Sequence, residues 1–487
     1  MQTIFFRITV LATLFLLTAT SGSRAQTAAM PVMRIAFEGE PTAYMDYANG
    51  SMTLTDEEER VVTLPAKFRT RGATAQEYMM KPSLNMKLRT DDYSAEADSS
   101  LLGLRSCSSW ILDAMAIDRI CMRNRVAFDV WNAFSRLPYD TSFDGRNGTV
   151  GRFVELYIND RYYGIYCLSD RINRKLLDLK KVKTLTDGTL QVRGVLYKNG
   201  TQNLLDQNHE AFSDDYRTCV AEWHNAWELT FPEDEASEAV WQPLLEALRQ
   251  GRTAAYVKRH FFLDNLADYQ LLVMALGIAD NWGNKNKYFS MRNMNKSLDD
   301  ADSLQADKRR IVVTPWDLDT SLGGAYDGAY YDGNYTDWPV DAITKNAPYP
   351  IDCLAADAEY LSLLRSRWLQ VRTAALSPDS VARRMDDYCR LFTESGAWQR
   401  MTAHYDAQAE RPMYVSDLAG EIAQVLQWYR QRHAEMDAYF NVSDGISTPQ
   451  TAASRPSSAA YDLGGRPVNP SSPSKKSVTV LRGRKHL

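Results

Sequence analysis

The sequence predicts an α+β fold, and three observations predict it. Strand-like alternation fills the stretch from Met33 to about Arg89 and returns as a hairpin at Val154 to Leu168. A strongly apolar segment, Phe261 to Ile278, is long enough for a buried helix and is followed by two β-branched runs. Residues 355–440 then carry apolar side chains at spacings of three and four, as in Leu361, Leu364, Trp368 and Val371.

Taken in order, Arg34-Ile35-Ala36-Phe37, Val61-Val62-Thr63-Leu64 and Leu84-Asn85-Met86-Lys87-Leu88 read as strands, and Asp91 to Ser100 as a polar loop. Trp110 to Phe134 reads as one or two helices, through Ile111, Met115, Val126, Val130 and Phe134. The hairpin turns at Asn159-Asp160, residues that tolerate the left-handed conformations a tight turn demands. Glu238 to Arg249 reads as a helix. The helix from Phe261 stops at Asp280-Asn281-Trp282-Gly283, and strands follow at Tyr288 to Met291 and Arg310 to Thr314. The Ser-, Ala- and Pro-rich stretch near 443–460 reads as a linker.

Composition narrows the function. With 487 residues, 45% hydrophobic and 24% charged, the chain has the make-up of a globular protein of several domains or of one large domain with insertions. A net charge of −5 supplies no electrostatic footprint for nucleic acid. Six Cys are too sparse for a disulfide scaffold, though one or two bridges would be allowed in an oxidising compartment. Residues 1–25 read as a signal peptide: Arg7, the apolar run Val10 to Thr20, and Ser23-Arg24-Ala25 as a small-x-small cleavage site. That run is too short for a membrane span, so export without a spanning helix is expected. The six His are scattered without an H-E-x-x-H pair, and neither a G-x-S-x-G elbow nor a P-loop occurs. Asp317 and Asp319 as the acid and base of a glycosidase are disfavoured, because residues two apart on a strand lie on one side.

One constellation carries chemistry. A buried helix leads to the loop Asp280 to Asn286, and a strand pair then delivers Pro315-Trp316-Asp317-Leu318-Asp319. Phosphoryl transfer needs a carboxylate at the attacking hydroxyl, plus an amide oxygen and a second carboxylate to hold Mg²⁺ against phosphate. Protein kinases present these groups in this helix–loop–strand–strand order, and hard oxygen donors suit Mg²⁺. The cation needed upstream fits Lys87, with Arg71 and Lys81 as rivals. Tyr166 to Arg171, including Leu168 and Asp170, fits a hinge that would receive the adenine. Asp118 would either orient Lys87 or pair with Arg123. Trp316 reads as a core residue before an adenine stacker, and Tyr326, Tyr330, Tyr331 and Tyr335 as the packing of a long loop.

These blocks resemble the spore coat protein H (CotH) kinase family over roughly Arg69 to Gly324. Arg69-Thr70-Arg71-Gly72 with Lys81 to Leu88 is similar to its RG…KxxYxLKL segment. Trp110-Ile111-Leu112 with Asp118, Arg123-Asn124 and Asp129 is similar to its W-x-L…D…RN…D helix, and Tyr157 to Tyr166 to its hairpin. Asp280 to Tyr288 resembles its D…NxY loop, and Pro315 to Asp319 with Gly323 its PWDxD…G block. The family usually carries Glu where Asp170 stands and Gly where Asp160 stands.

The resemblance implies an atypical, divergent kinase-like fold over residues 69–350, after an N-terminal strand region 26–68 and before a helical part 351–442. It implies an ATP- and Mg²⁺-dependent kinase acting on a hydroxyl of a surface or secreted protein. Asp280 would be catalytic, Lys87 would contact the phosphates, and Asn286, Asp317 and Asp319 would hold the metal, with Asn284 the alternative to Asn286. A catalytically inactive scaffold or adhesion protein of the same fold is the second reading. Residues 461–487 resemble a C-terminal sorting tail of type IX secretion substrates.

Overall fold

The computed structural model describes residues 29–72, 80–139, 145–199, 227–232, 238–278, 281, 286–299, 308–324, 340, 349–407 and 414–442, and four short strands between 460 and 486. The described chain is α+β. Seven strands close a barrel: β1 (Val32–Phe37), β2 (Ala48–Thr55), β3 (Val61–Thr70), β4 (Leu84–Leu88), β5 (Ser109–Asp113), β6 (Gly151–Ile158) and β7 (Arg161–Asp170), in the order β1-β2-β3-β4-β5-β7-β6. Every pairing is antiparallel except β1 with β6, the parallel pair that completes the ring. Alternation explains why it closes around one core. Phe68, Met86, Trp110, Leu112, Tyr166 and Leu168 point inward and are buried, so each strand removes one apolar face from water.

Ser109–Asp113 is a strand where the apolar spacing suggested helix; Trp110 and Leu112 face the barrel interior with period two. The helix starts later, as α1 (Arg123–Phe134). Its first turn is held by Asp118, whose carboxylate accepts from the Met122 and Arg123 backbone N–H groups at 2.8 and 2.7 Å and pairs with the Arg123 guanidinium at 2.5 Å. A negative group there also meets the positive end of the helix dipole. The β6–β7 turn falls at Asn159 and Asp160, with φ of 49° and 62°.

After the small hairpin β8 (Lys183–Thr184) and β9 (Leu190–Gln191), a second sheet has the order β11-β10-β12-β13, all antiparallel. Its strands are β10 (Gly194–Asn199), β11 (Trp227–Phe231), β12 (Lys287–Arg292) and β13 (Val312–Pro315). Helices α2 (Glu238–Gln250) and α3 (Ala254–His260) lead to α4 (Leu263–Leu276), which is buried on nearly all sides. The Asn265 amide fixes α4 to β13, donating to the Val313 carbonyl at 3.0 Å and accepting from its N–H at 2.7 Å. The helix ends on Gly277 in the left-handed region, earlier than the polar loop suggested, because glycine adopts φ of 60° without steric cost.

Four further helices follow: α5 (Ala358–Val371), α6 (Pro378–Glu394), α7 (Ala397–Asp406) and α8 (Leu418–Tyr439). Arg367 of α5 pairs with buried Asp268 of α4 at 2.5 Å and donates to the Phe134 carbonyl of α1, so this helical part belongs to the same compact unit, which runs to Phe440. A second unit from Asn441 holds the antiparallel sheet β15-β14-β16-β17, with β14 (Ala460–Tyr461), β15 (Pro467–Val468), β16 (Thr479–Leu481) and β17 (Arg484–His486). The five described cysteines are free thiols. No helix among the described residues is long and apolar enough to cross a membrane.

Candidate active site

The outward face of the barrel and one face of the second sheet form a cleft of about 500 Å³. The register places Arg69 opposite Asn85 and Asn85 opposite Ile111, so these three side chains share the barrel wall of the cleft. Arg71, just past β3, extends it. Lys198 of β10, Glu228 of β11, Tyr288 of β12 and Trp316-Asp317 beyond β13 form the opposite wall, with Asn286 between them and Arg171 where the chain leaves β7. Residues more than 200 apart in sequence thus converge, because the barrel wall and a face of the second sheet line one cleft.

Asn286 and Asp317 are the candidate oxygen donors to a metal. Both hold left-handed backbone, φ 61° and 58°, a conformation that Asn and Asp tolerate better than other side-chain-bearing residues. Their loops are tied together. The Asn286 N–H donates to the Asn199 carbonyl at 3.2 Å, and the Asn286 carbonyl accepts from the Trp316 N–H at 2.9 Å. Fully buried Asn281 completes the tie, its amide nitrogen donating to the carbonyls of Asn286 and Trp316, each at 2.9 Å. Lys287 turns to the other side of β12, near the Tyr269 ring; burial pushes its ammonium down to about 7, and Asp352 opposes that.

The donor set fits a hard cation. An amide and a carboxylate oxygen share a cleft lined by neither His nor Cys. Among the described residues, no three His, Cys, Asp or Glu side chains converge on a common point. A Mg²⁺ ion, which usually keeps several waters, is compatible with so small a set of protein donors. Asp319 is partly buried and is not among the residues lining the cleft, so of these two carboxylates it is Asp317 that lines it.

The electrostatics favour an anion. Arg69, Arg71, Arg171 and Lys198 line the cleft against Asp46, Glu228 and Asp317. Burial pushes the Lys198 ammonium down, and the Arg71 and Arg171 guanidiniums push the same way, while Glu228 and Asp317 oppose them. The Arg71 guanidinium lies 5.3 Å from the Trp316 ring centre, and that ring meets Tyr288 edge-on. Trp316 is thus part of the cleft wall as well as a flank of a small apolar cluster.

Several expected residues stand elsewhere. Leu168 is wholly buried in the barrel core, and its backbone lies between β5 and β6, paired with Leu112 and Arg152. It therefore offers no open edge to a base. Asp170 is buried too: it pairs with Arg105 at 2.6 Å and accepts from the Val150 N–H at 2.8 Å, a structural employment. Lys87 lies two residues from Asn85 on β4 but lines an adjoining cleft of about 870 Å³, where Glu96 holds its ammonium at 3.0 Å. The two clefts share Arg171 and Glu228. Lys81 is enclosed, with its ammonium 3.4 Å from the Met401 sulfur and against the rings of Tyr166, Tyr405 and Tyr414. Asp280, Asn284 and the four tyrosines of the Gly-rich loop lie outside the described residues.

Sequence reasoning missed Lys198, Glu228 and the Asn281 bridge. A lone Lys and a lone Glu in an irregular region carry no pattern, and Asn281 passed for a helix stop. A family model described as CotH kinase protein matches residues 68–436, most of the chain. No curated protein matches it.

Proposed function

Because this chain belongs to the CotH kinase family, we propose that it is an ATP- and Mg²⁺-dependent kinase of divergent kinase-like fold, transferring the γ-phosphoryl group to a hydroxyl of an exported or surface protein. The observation that carries the reading is the meeting of Asn286 and Asp317 with Arg71 and Arg171 in one cleft. Asn286 and Asp317 would hold Mg²⁺, which neutralises phosphate charge when bound. Arg69, Arg71 and Arg171 supply forked donors matched to phosphate oxygens. The nucleoside end extends into the adjoining cleft, along residues 171–174 and Lys87. By the family resemblance, Asp280 would orient the acceptor hydroxyl and take its proton. Catalysis here is chiefly positioning and charge compensation, since the loose transition state needs little covalent help.

The test is incubation of purified protein with Mg²⁺ and γ-labelled ATP beside Asp317→Ala and Asp280→Ala. Asp317→Ala lowers labelling at least about a hundredfold, roughly 2.7 kcal/mol of lost transition-state stabilisation. Equal labelling in all three proteins removes the kinase assignment. Export is part of the same proposal, and cell fractionation that leaves the protein in the cytoplasm would refute it.

A further inference from the structure

We propose that Lys198 of β10 is a further catalytic residue of this cleft, contacting the distal phosphate of the nucleotide, with Glu228 of β11 as the residue that positions it. The inference rests on the phosphoryl-transfer reading above and adds to it a cation from the sheet opposite the arginines. Three observations carry it.

The first is place. Lys198 sits opposite Tyr288 in the β10–β12 register, and its neighbour Asn199 accepts the Asn286 N–H. It is the one residue of β10 that is not buried, on a strand otherwise wholly enclosed. The strand that braces the metal loop therefore also presents a cation into the cleft.

The second is charge. Four cationic side chains face three carboxylates, an excess of one, and Arg71 and Arg171 both act on Lys198. Adding a divalent cation would raise the excess to three. A triphosphate carries about four negative charges, so such an anion with its metal brings the cleft close to neutrality. Without one, gathering like charges is unfavourable.

The third is the geometry of the pair. Lys198 Nζ lies 3.6 Å from Glu228 Oε2, beyond hydrogen-bond length, whereas the buried pairs Asp118–Arg123 and Asp170–Arg105 close to 2.5 and 2.6 Å. Glu228 steers the ammonium without consuming its donors. With side chains 30% and 59% exposed, the pair contributes little to stability, about 0.2–1 kcal/mol at most.

In the transfer, the acceptor oxygen bonds to Pγ as the bond from Pγ to the bridging oxygen breaks. The electron pair stays on the departing diphosphate, and the hydroxyl proton passes to Asp280. Lys198 compensates the charge carried by the phosphoryl oxygens.

The experiment titrates the purified protein calorimetrically with inorganic tripolyphosphate, metal-free, and with adenosine, alongside phosphoryl-transfer kinetics and melting curves. Lys198→Ala weakens tripolyphosphate binding roughly tenfold or more, the worth of one charge-assisted hydrogen bond, and leaves adenosine binding and the melting temperature unchanged. Lys198→Arg restores most of the affinity. Glu228→Gln lowers kcat more than it raises KM for ATP. Tripolyphosphate binding and transfer that both survive Lys198→Ala overturn the inference and leave the kinase reading intact. Lys198-dependent binding by a wild-type protein that transfers nothing overturns the catalytic role together with that reading. A wild type that does not bind tripolyphosphate refutes the contact itself.

Discussion

Asn281 shows how much a single side chain organises here. Its amide holds two carbonyls from loops 30 residues apart, those that present Asn286 and Asp317. Asn281→Ala is expected to lower stability by about 1–3 kcal/mol, the cost of stranding buried acceptors. It is expected to lower phosphoryl transfer by more than tenfold, because the two oxygen donors lose their common brace. Denaturant melts beside kcat measurements separate the two effects; unchanged kcat would show that the loops keep their geometry without it. Asp317 was legible as a candidate carboxylate from its block, whereas its place on the cleft wall, where Asp319 is absent, was not. That choice depends on which of two carboxylates turns toward the cleft, which two residues in one short block do not reveal.

Element ends carry their own competition of forces. His260 closes α3, where the helix dipole favours a cation, and the last turn also holds Lys258 and Arg259. Burial against Tyr256 and the positive charges of Arg259, Arg309 and Arg310 outweigh the dipole and push the imidazole down to about 4. The unfolded imidazole titrates near 6.5, so between about pH 6.5 and 4 the unfolded chain binds more protons than the folded one. Stability from this group is therefore full above about pH 6.5 and is lost as pH falls toward 4. His260→Gln should flatten the melting temperature across that window, and an unaltered slope would assign the loss to other groups. At this scale the sequence was readable where period and turn chemistry agreed, as in β6–Asn159-Asp160–β7 and α4. It misled at Ser109–Asp113, where Ile111 fits a helical spacing with Met115 but the barrel demanded a strand.

The helical part after residue 350 has a structural task at the scale of the whole molecule. Helix α7 seats on β7: Met401 rests over Gly164, and Arg400 pairs with Glu155 at 2.6 Å. Gly164 has φ of 83°, and an added Cβ would lie 2.6 Å from Met401 Cγ. Gly164→Ala should therefore destabilise the protein by about 1–3 kcal/mol through strain and overlap, as read by urea unfolding. A neutral result would mean that α7 shifts without cost. Nucleotide with Mg²⁺ at a hundred times its Kd should add about 2.7 kcal/mol of stability. A scaffold without a nucleotide site would show none.

What the sequence by itself determined is the kind and order of parts: strands first, a buried helix with a polar exit, two strands, then helices, with Asn and Asp side chains in the blocks that follow the buried helix. Those features follow from local periodicity and from the chemistry of short blocks, which need no knowledge of distant neighbours. Only the tertiary structure decided that the first sheet closes through a parallel pairing of β1 with β6, strands more than 110 residues apart. Only it seated Leu168 and Asp170 inside that barrel, moved Lys87 to a neighbouring cleft and brought Lys198 opposite the arginines. Strand closure and the meeting of two sheets depend on long-range register, and no local pattern of apolar and polar residues encodes which remote edge a strand will find.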